Sequence, residues 1–202
     1  HVSALPDESL RDSAADLVMV NEAEETLREL LRVVGGSGVE RARRDPSATL
    51  SGVAGLAWRG GSSAPRRPDA DLDSFPLPAR HLLPNAAYRM PFFPDGPFAT
   101  VIPTRGCPWP CTFCRAGSVW GRRIRVRSPE RVVDELRGVA GELGIRNIVF
   151  MTDSLTLNRD WALRLFDVIR AANLGLRWIC NSRVDAVDLE LLSAMKAAGC
   201  RM

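Results

Sequence analysis

Three strand–helix units follow one another between residues 98 and 202, and this repetition limits the fold more than any other feature of the chain. Phe98 to Pro103 reads as an apolar strand. Ser128-Pro129 then caps and opens a helix that carries Val132, Val133, Leu136, Ala140 and Leu143 on one face and stops at Gly144. Asn147 to Met151 is the second strand, followed by a helix from Asn158 with Trp161, Leu165, Phe166 and Ile169 inward. Leu176 to Cys180 is the third, followed by a helix over Val187 to Ala198 that closes at Gly199. Consecutive βα units imply a parallel sheet with right-handed crossovers, hence an α/β fold. Strand starts 49 and 29 residues apart suit the first part of a βα barrel.

Upstream the pattern changes. Asp16 to Val20 is a nearly continuous apolar run of the kind found in buried parallel strands. Glu22 to Val34 reads as a helix: Leu27, Leu30, Leu31 and Val34 share a face, acidic residues crowd its first turn, and Gly35-Gly36 ends it. Gly52 to Trp58 reads as a short strand leading into a turn or hairpin at Gly60 to Pro65. Prolines at 68, 76, 78, 84, 91, 94 and 97 forbid a long helix or central strand between Asp69 and Pro97, which reads as a crossing outside either core. The expected division is therefore 1–50, 51–97 and 98–202. Because the chain opens on His1 rather than Met and stops just past a helix end, we read it as a fragment of a longer protein.

A hydrophobic content of 46% is ample for a buried core. No apolar run is long enough to span a membrane and no signal peptide is visible, so a cytoplasmic location is expected. The basic residues are 26 arginines and a single lysine, Lys196, but a formal net charge of +3 is too small to argue for a nucleic-acid partner. The alternating Arg122-Arg123-Ile124-Arg125-Val126-Arg127 reads as a solvated loop or an edge strand.

Three of the five cysteines lie within eight residues, from Cys107 to Cys114, a spacing unsuited to a disulfide framework in a cytosolic chain and better suited to metal. They follow the first strand of the repeat, at the end of a βα sheet where active sites form. Three thiolates on a proline-stiffened loop can hold three irons of a cubane and leave the fourth without a protein ligand, whereas electron-carrying clusters are usually closed by four cysteines. A structural zinc site is the alternative, with Cys180 or Cys200 as fourth ligand, but the second C-x2-C pair usual in zinc knuckles is missing. Cys180 and Cys200 read as buried thiols.

The stretch Cys107-Pro108-Trp109-Pro110-Cys111-Thr112-Phe113-Cys114 resembles the signature of the radical S-adenosylmethionine (SAM) superfamily, C-x3-C-x-aromatic-C after the first barrel strand. The resemblance implies a [4Fe–4S] cluster on Cys107, Cys111 and Cys114 that binds S-adenosyl-L-methionine at its open iron and reductively cleaves it to a 5′-deoxyadenosyl radical. It also implies that Phe113 contacts the adenine, although a core-filling phenylalanine is the plainer alternative. At the second strand end, Asp153 is the candidate for the cofactor's amino group, or else a turn residue bonding nearby amides. At the third, Asn181 and Arg183 are candidates for its ribose or carboxylate, and Asp185 is expected to cap the following helix. No catalytic residue can be named.

The order of elements before the barrel, with Asn21-Glu22-Ala23-Glu24-Glu25 and Leu72-Asp73-Ser74-Phe75-Pro76, is similar to the branch in which a Rossmann-like cobalamin-binding domain precedes the radical SAM barrel. On that resemblance residues 1–50 are the tail of such a domain and 98–202 the first three βα units of a partial TIM barrel. Asn21 and Ala23 stand where the branch usually has glycine, and neither His1 nor His81 makes a convincing cobalt ligand. The implied function is cobalamin-dependent methyl transfer to an unactivated carbon of a small-molecule substrate, with electrons from a reductant such as flavodoxin or ferredoxin. A radical SAM cyclase, a tRNA methylthiotransferase and a non-catalytic zinc or iron–sulfur module are the alternatives; the absence of cysteine from residues 1–106 counts against the methylthiotransferase.

Overall fold

The computed structural model describes residues 2–36 and 38–202; His1, discounted above as a cobalt ligand, and Ser37 lie outside the described residues. Internal packing divides the chain into two units, His1–Asp69 with Pro108–Arg122, and Ala70–Cys107 with Arg123–Met202.

The first unit holds helices α1 (Pro6–Arg11), α2 (Glu24–Val34), α3 (Gly38–Arg44), α4 (Pro46–Leu50) and the short α5 (Ala116–Val119), with strands β1 (Leu17–Met19), β2 (Leu56–Trp58) and β3 (Gly61–Ser62). The strands form an antiparallel sheet in the order β1-β2-β3, with Leu17 opposite Trp58 and Trp58 opposite Gly61. The 16–20 run is therefore not a parallel strand. Only Val18 of β1 is buried while Leu17 and Met19 are partly exposed, an alternation that a sheet covered on one face satisfies. Helix α2 starts two residues later than its pattern suggested and packs through Leu30, Val33 and Val34 against Leu50, Val53, Leu56 and Trp58; Leu27 and Leu31 stay exposed. Buried Thr26 bonds the Ala54 carbonyl at 3.0 Å and accepts from Arg66 at 2.8 Å, tying α2 to the residues around the hairpin.

The second unit is a parallel sheet, β4 (Phe98–Val101), β7 (Asn147–Phe150) and β8 (Arg177–Cys180), in the order β4-β7-β8, with a small ribbon of β5 (Thr104–Arg105) and β6 (Arg125–Val126) beside it. Helices α6 (Pro129–Glu142), α7 (Arg159–Ala172) and α8 (Leu189–Ala197) cover it. All four residues of β7 are buried, as the central strand of a covered parallel sheet requires. Ser128 caps α6 through the Arg131 N–H, with Pro129 at the first helical position, and Asn158 caps α7 through the Trp161 N–H. The core gathers Val132, Val133 and Leu136 of α6 and Leu165 and Phe166 of α7 around Trp178, whose ring meets Phe150 edge-on at 5.2 Å and stacks on Phe166 at 5.4 Å. Gly199 turns the chain at φ +100°, where a Cβ would lie 2.4 Å from the Leu176 carbonyl oxygen, and Cys200 then pairs in parallel with Trp178.

The proline-rich stretch forms three 3-10 turns, Leu72–Ser74, Arg80–Leu82 and Asn85–Ala87, and no long element, as its prolines required. It covers the outer edge of β4: the Phe98 N–H donates to the Tyr88 carbonyl at 3.3 Å and Arg80 donates to the Thr100 carbonyl at 2.6 Å. Unpaired strand edges invite non-native pairing, and this one is occupied. Its reading as a segment outside either core fails at Phe93, which is buried against Val149 and Ile179. Among the described residues no helix is long and apolar enough to cross a membrane.

Candidate functional site

The cysteine loop leaves the carboxyl end of β4 through the β5–β6 ribbon. Thr104 faces Val126 and Arg105 faces Arg125, and the Arg127 N–H donates to the Pro103 carbonyl at 2.9 Å. The Arg105 guanidinium lies 5.4 Å over the Phe75 ring. Gly106 then adopts φ +96°, a conformation costly for a side-chain-bearing residue, and delivers the chain to Cys107. Arg122 and Arg123 are exposed, as a solvated loop would leave them, whereas Arg125 is buried in β6 and Arg127 is ion-paired with Glu135, so the second half of the arginine-rich stretch is an ordered ribbon.

Cys107 and Cys111 are partly exposed and Cys114 is exposed; none of the five cysteines forms a disulfide. The Cys114 N–H donates to the Cys111 carbonyl at 3.1 Å, closing a turn, and the Ala116 N–H donates to Cys114 Sγ at 3.5 Å. Phe113, between them, is 89% exposed and fills no core. Among the described residues no three Cys, His, Asp or Glu side chains converge at metal-ligand distance. The donor set is nevertheless the one a cluster takes: three soft thiols on one loop, with a backbone N–H directed at a sulfur, an interaction that tunes iron–sulfur centres. The three cysteines thus fit a cluster in donor chemistry and in their spacing along the sequence.

The other candidates lie at the carboxyl ends of β7 and β8. Thr104 and Thr152 share a hydrogen bond, placing the residue before Asp153 against the base of the cysteine loop. Burial raises the Asp153 carboxyl above its ordinary value, although much of the residue remains exposed. Asn181 is exposed, and its backbone carbonyl accepts the Leu155 N–H at 2.9 Å. The Ser154 hydroxyl accepts the Arg183 N–H at 3.4 Å, so the loops after β7 and β8 brace each other. Arg183 itself is engaged by Asp185 at 2.8 and 2.7 Å, and that pair holds the Asp185 carboxyl below its usual range. Asp185 therefore does not cap the following helix. Val184–Ala186 forms a 3-10 turn, α8 begins three residues later, and Asp188 caps it through the Leu191 N–H at 2.8 Å. Cys180 and Cys200 are only partly buried; a hydrogen bond between them, with burial, pushes the Cys180 thiol far up and draws Cys200 down.

The contributions of Thr104, Thr152 and Glu135 were not visible in the sequence, because none belongs to a spaced motif. Glu135 in a helix reads as a solvated charge until two arginines are found beside it.

A profile of the family described as the Radical SAM superfamily matches residues 101–202. The chain belongs to the radical SAM superfamily. This radical SAM chain is 32% identical, over 206 residues and 99% of its length, to "Uncharacterized methyltransferase PH0819" of Pyrococcus horikoshii, of which it spans 42%. It is 28% identical, over 91% of its length, to the anaerobic magnesium-protoporphyrin IX monomethyl ester cyclase of Cereibacter sphaeroides, of which it spans 30%. Its fold is similar to that of the radical SAM methyltransferase TsrM from Kitasatospora setae, solved with cobalamin and a [4Fe–4S] cluster bound: TM-score 0.70 at 18% identity, over 99% of this chain and 39% of that one.

Proposed function

We propose that this chain is the cluster-bearing part of a cobalamin-dependent radical SAM methyltransferase. The observation that carries the proposal is the departure of Cys107, Cys111 and Cys114 from the carboxyl end of the first strand of a parallel sheet. On this reading residues 98–202 are the first three βα units of a partial TIM barrel, 51–97 a hairpin and crossing, and 1–50 the tail of a Rossmann-like cobalamin-binding domain.

Cys107, Cys111 and Cys114 would each bind one iron, leaving one iron for S-adenosyl-L-methionine. A reduced cluster held there would supply the electron for cleavage of the cofactor's carbon–sulfur bond, giving methionine and a 5′-deoxyadenosyl radical. Phe113 offers an exposed aromatic face to the adenine, since a ring packed into a core could not do so. Asp153 would accept hydrogen bonds from the cofactor's amino group, a partner for a carboxyl that burial now disfavours as the anion. Among the described residues no side-chain partner engages Asn181, which would take the ribose or carboxylate, while Arg183 would have to leave Asp185 to reach the cofactor. Reduction comes from a flavodoxin- or ferredoxin-class donor, and the substrate is a small molecule.

Cobalamin is supported by the cobalamin-bound neighbour, and methyl transfer by the Pyrococcus relative. Cyclisation is the second reading, favoured by the Cereibacter relative, whose name is a cyclase. Anaerobic reconstitution tests the cluster: the wild-type protein should bind about four irons and four sulfides per chain, and Cys107→Ala, Cys111→Ala or Cys114→Ala should each abolish this while Cys180→Ala and Cys200→Ala do not. Zinc without sulfide, or equal loss on changing Cys180, contradicts it. Product analysis in the full protein, with and without cobalamin, separates methyl transfer from cyclisation.

A further inference from the structure

Glu135 is 4% exposed and lies on α6, well removed in sequence from the cysteine loop. Its Oε2 accepts from Arg127 Nη1 at 2.5 Å and its Oε1 accepts from Arg80. A carboxylate this deep is tolerable only with such partners, and one buried acid bridging two arginines on different segments is a clasp. The two arms differ in what they hold. Arg80 belongs to the proline-rich stretch and also bonds the Thr100 carbonyl on the outer edge of β4.

Arg127 is the first residue beyond β6 and is fixed from every side. Its N–H donates to Pro103, its carbonyl accepts the Trp161 indole N–H at 2.7 Å, and its Nη2 donates to the Arg131 carbonyl at 3.3 Å. The ribbon that ends just before Arg127 has only two residue pairs, yet it closes the whole excursion 106–124 that carries the cysteines. So short a ladder is marginal by itself, and closing a loop of that length costs entropy that other contacts must offset.

We propose that Glu135 is a positioning residue for the cysteine loop, holding through Arg127 the β5–β6 ribbon from which Cys107 departs. The proposal rests on the reading of Cys107, Cys111 and Cys114 as iron ligands. It assigns the Arg127 arm to the loop and the Arg80 arm to the sheet edge, so the two arms are separable by mutation. Removing the Arg127 arm leaves the cysteines on the loop but loosens their frame, which should show in how firmly iron is held. Removing the Arg80 arm should cost stability without that effect.

The test uses the full protein, reconstituted anaerobically, as wild type, Glu135→Gln, Arg127→Gln and Arg80→Gln. The readouts are the rate at which a ferrous chelator strips iron, the low-temperature EPR spectrum of the reduced cluster, and the melting temperature. Glu135→Gln and Arg127→Gln should lose iron roughly tenfold faster, the scale seen when groups supporting metal ligands are removed, with a changed EPR line shape. Arg80→Gln should melt lower yet strip at the wild-type rate. Should Glu135→Gln not fold, Arg127→Gln decides, because it leaves Glu135 paired with Arg80. Wild-type stripping and EPR in Arg127→Gln, or equal lability in Arg80→Gln, overturns the positioning role. A wild-type protein that takes up no iron overturns the cluster reading instead, so the two failures are told apart.

Discussion

Asp73 accepts the backbone N–H of Ser128 on both carboxylate oxygens, at 3.0 and 3.1 Å. Ser128 is the N-cap of α6, so a carboxylate from the proline-rich stretch stands at the positive end of a 14-residue helix. The stretch thus fastens to the rest of the second unit at this helix start, at the edge of β4 through Arg80 and against Val149 and Ile179 through Phe93.

Replacing Asp73 with Ala should leave the Ser128 N–H without its partner and cost about 1–2 kcal/mol. Thermal or urea unfolding of Asp73→Ala against wild type measures it. Asp73→Asn should recover part of the loss, since an amide oxygen still accepts the bond but no longer answers the helix dipole. A melting curve unchanged in Asp73→Ala would mean that the bond is replaced by water at no cost.

The regular half of the fold was legible because its signals are local. Ser128-Pro129, Asn158 and Gly199 mark helix ends that the structure reproduces, and the 3.6-residue stripes of α6 and α7 are the faces that cover the sheet. The irregular half was less so. Residues 17–19 are too few for period alone to separate a strand buried on both faces from one covered on one, and pairing direction depends on β2, nearly forty residues on. The sequence points to Asp185 as the cap of α8; the 3-10 turn between β8 and α8 moves the helix start on and makes Asp188 the cap. At the site, the cysteine motif could be read because its spacing is its chemistry, whereas Thr104, Thr152 and Glu135 act through contacts between distant segments that leave no periodic trace.

Asp153 should make stability depend on pH in a defined direction. Burial raises its carboxyl above the ordinary 3.8, so the folded state holds a proton that the unfolded chain has released. Its contribution is fully present at lower pH, where both states are protonated, and is lost as pH rises through the window above 3.8. Asp153→Asn removes the charge that burial penalises. Melting temperatures of variant and wild type should therefore converge in acid and diverge toward neutral pH, with the variant the more stable. Parallel curves across that range would show that Asp153 is not desolvated.

The thiols should separate by reactivity in cluster-free protein. Cys114 is exposed, whereas Cys180 is held protonated by its hydrogen bond with Cys200 and by burial. Alkylation at mildly alkaline pH, followed residue by residue by mass spectrometry, should label Cys114 first and Cys180 last. Cys200→Ser should speed labelling of Cys180 by weakening the group that holds its proton. Early labelling of Cys180 in the wild type would contradict the coupled pair.

The central claim is that the three cysteines of the loop carry a cluster that cleaves S-adenosyl-L-methionine. It is tested most directly by measuring 5′-deoxyadenosine released by the full-length protein under dithionite, in the wild type and in Cys107→Ala, Cys111→Ala, Cys114→Ala and Cys180→Ala. Release by the wild type and Cys180→Ala, with none from the three loop variants, is the predicted result. Release that survives loss of any loop cysteine, or no release from wild-type protein holding a full complement of iron and sulfide, would contradict it.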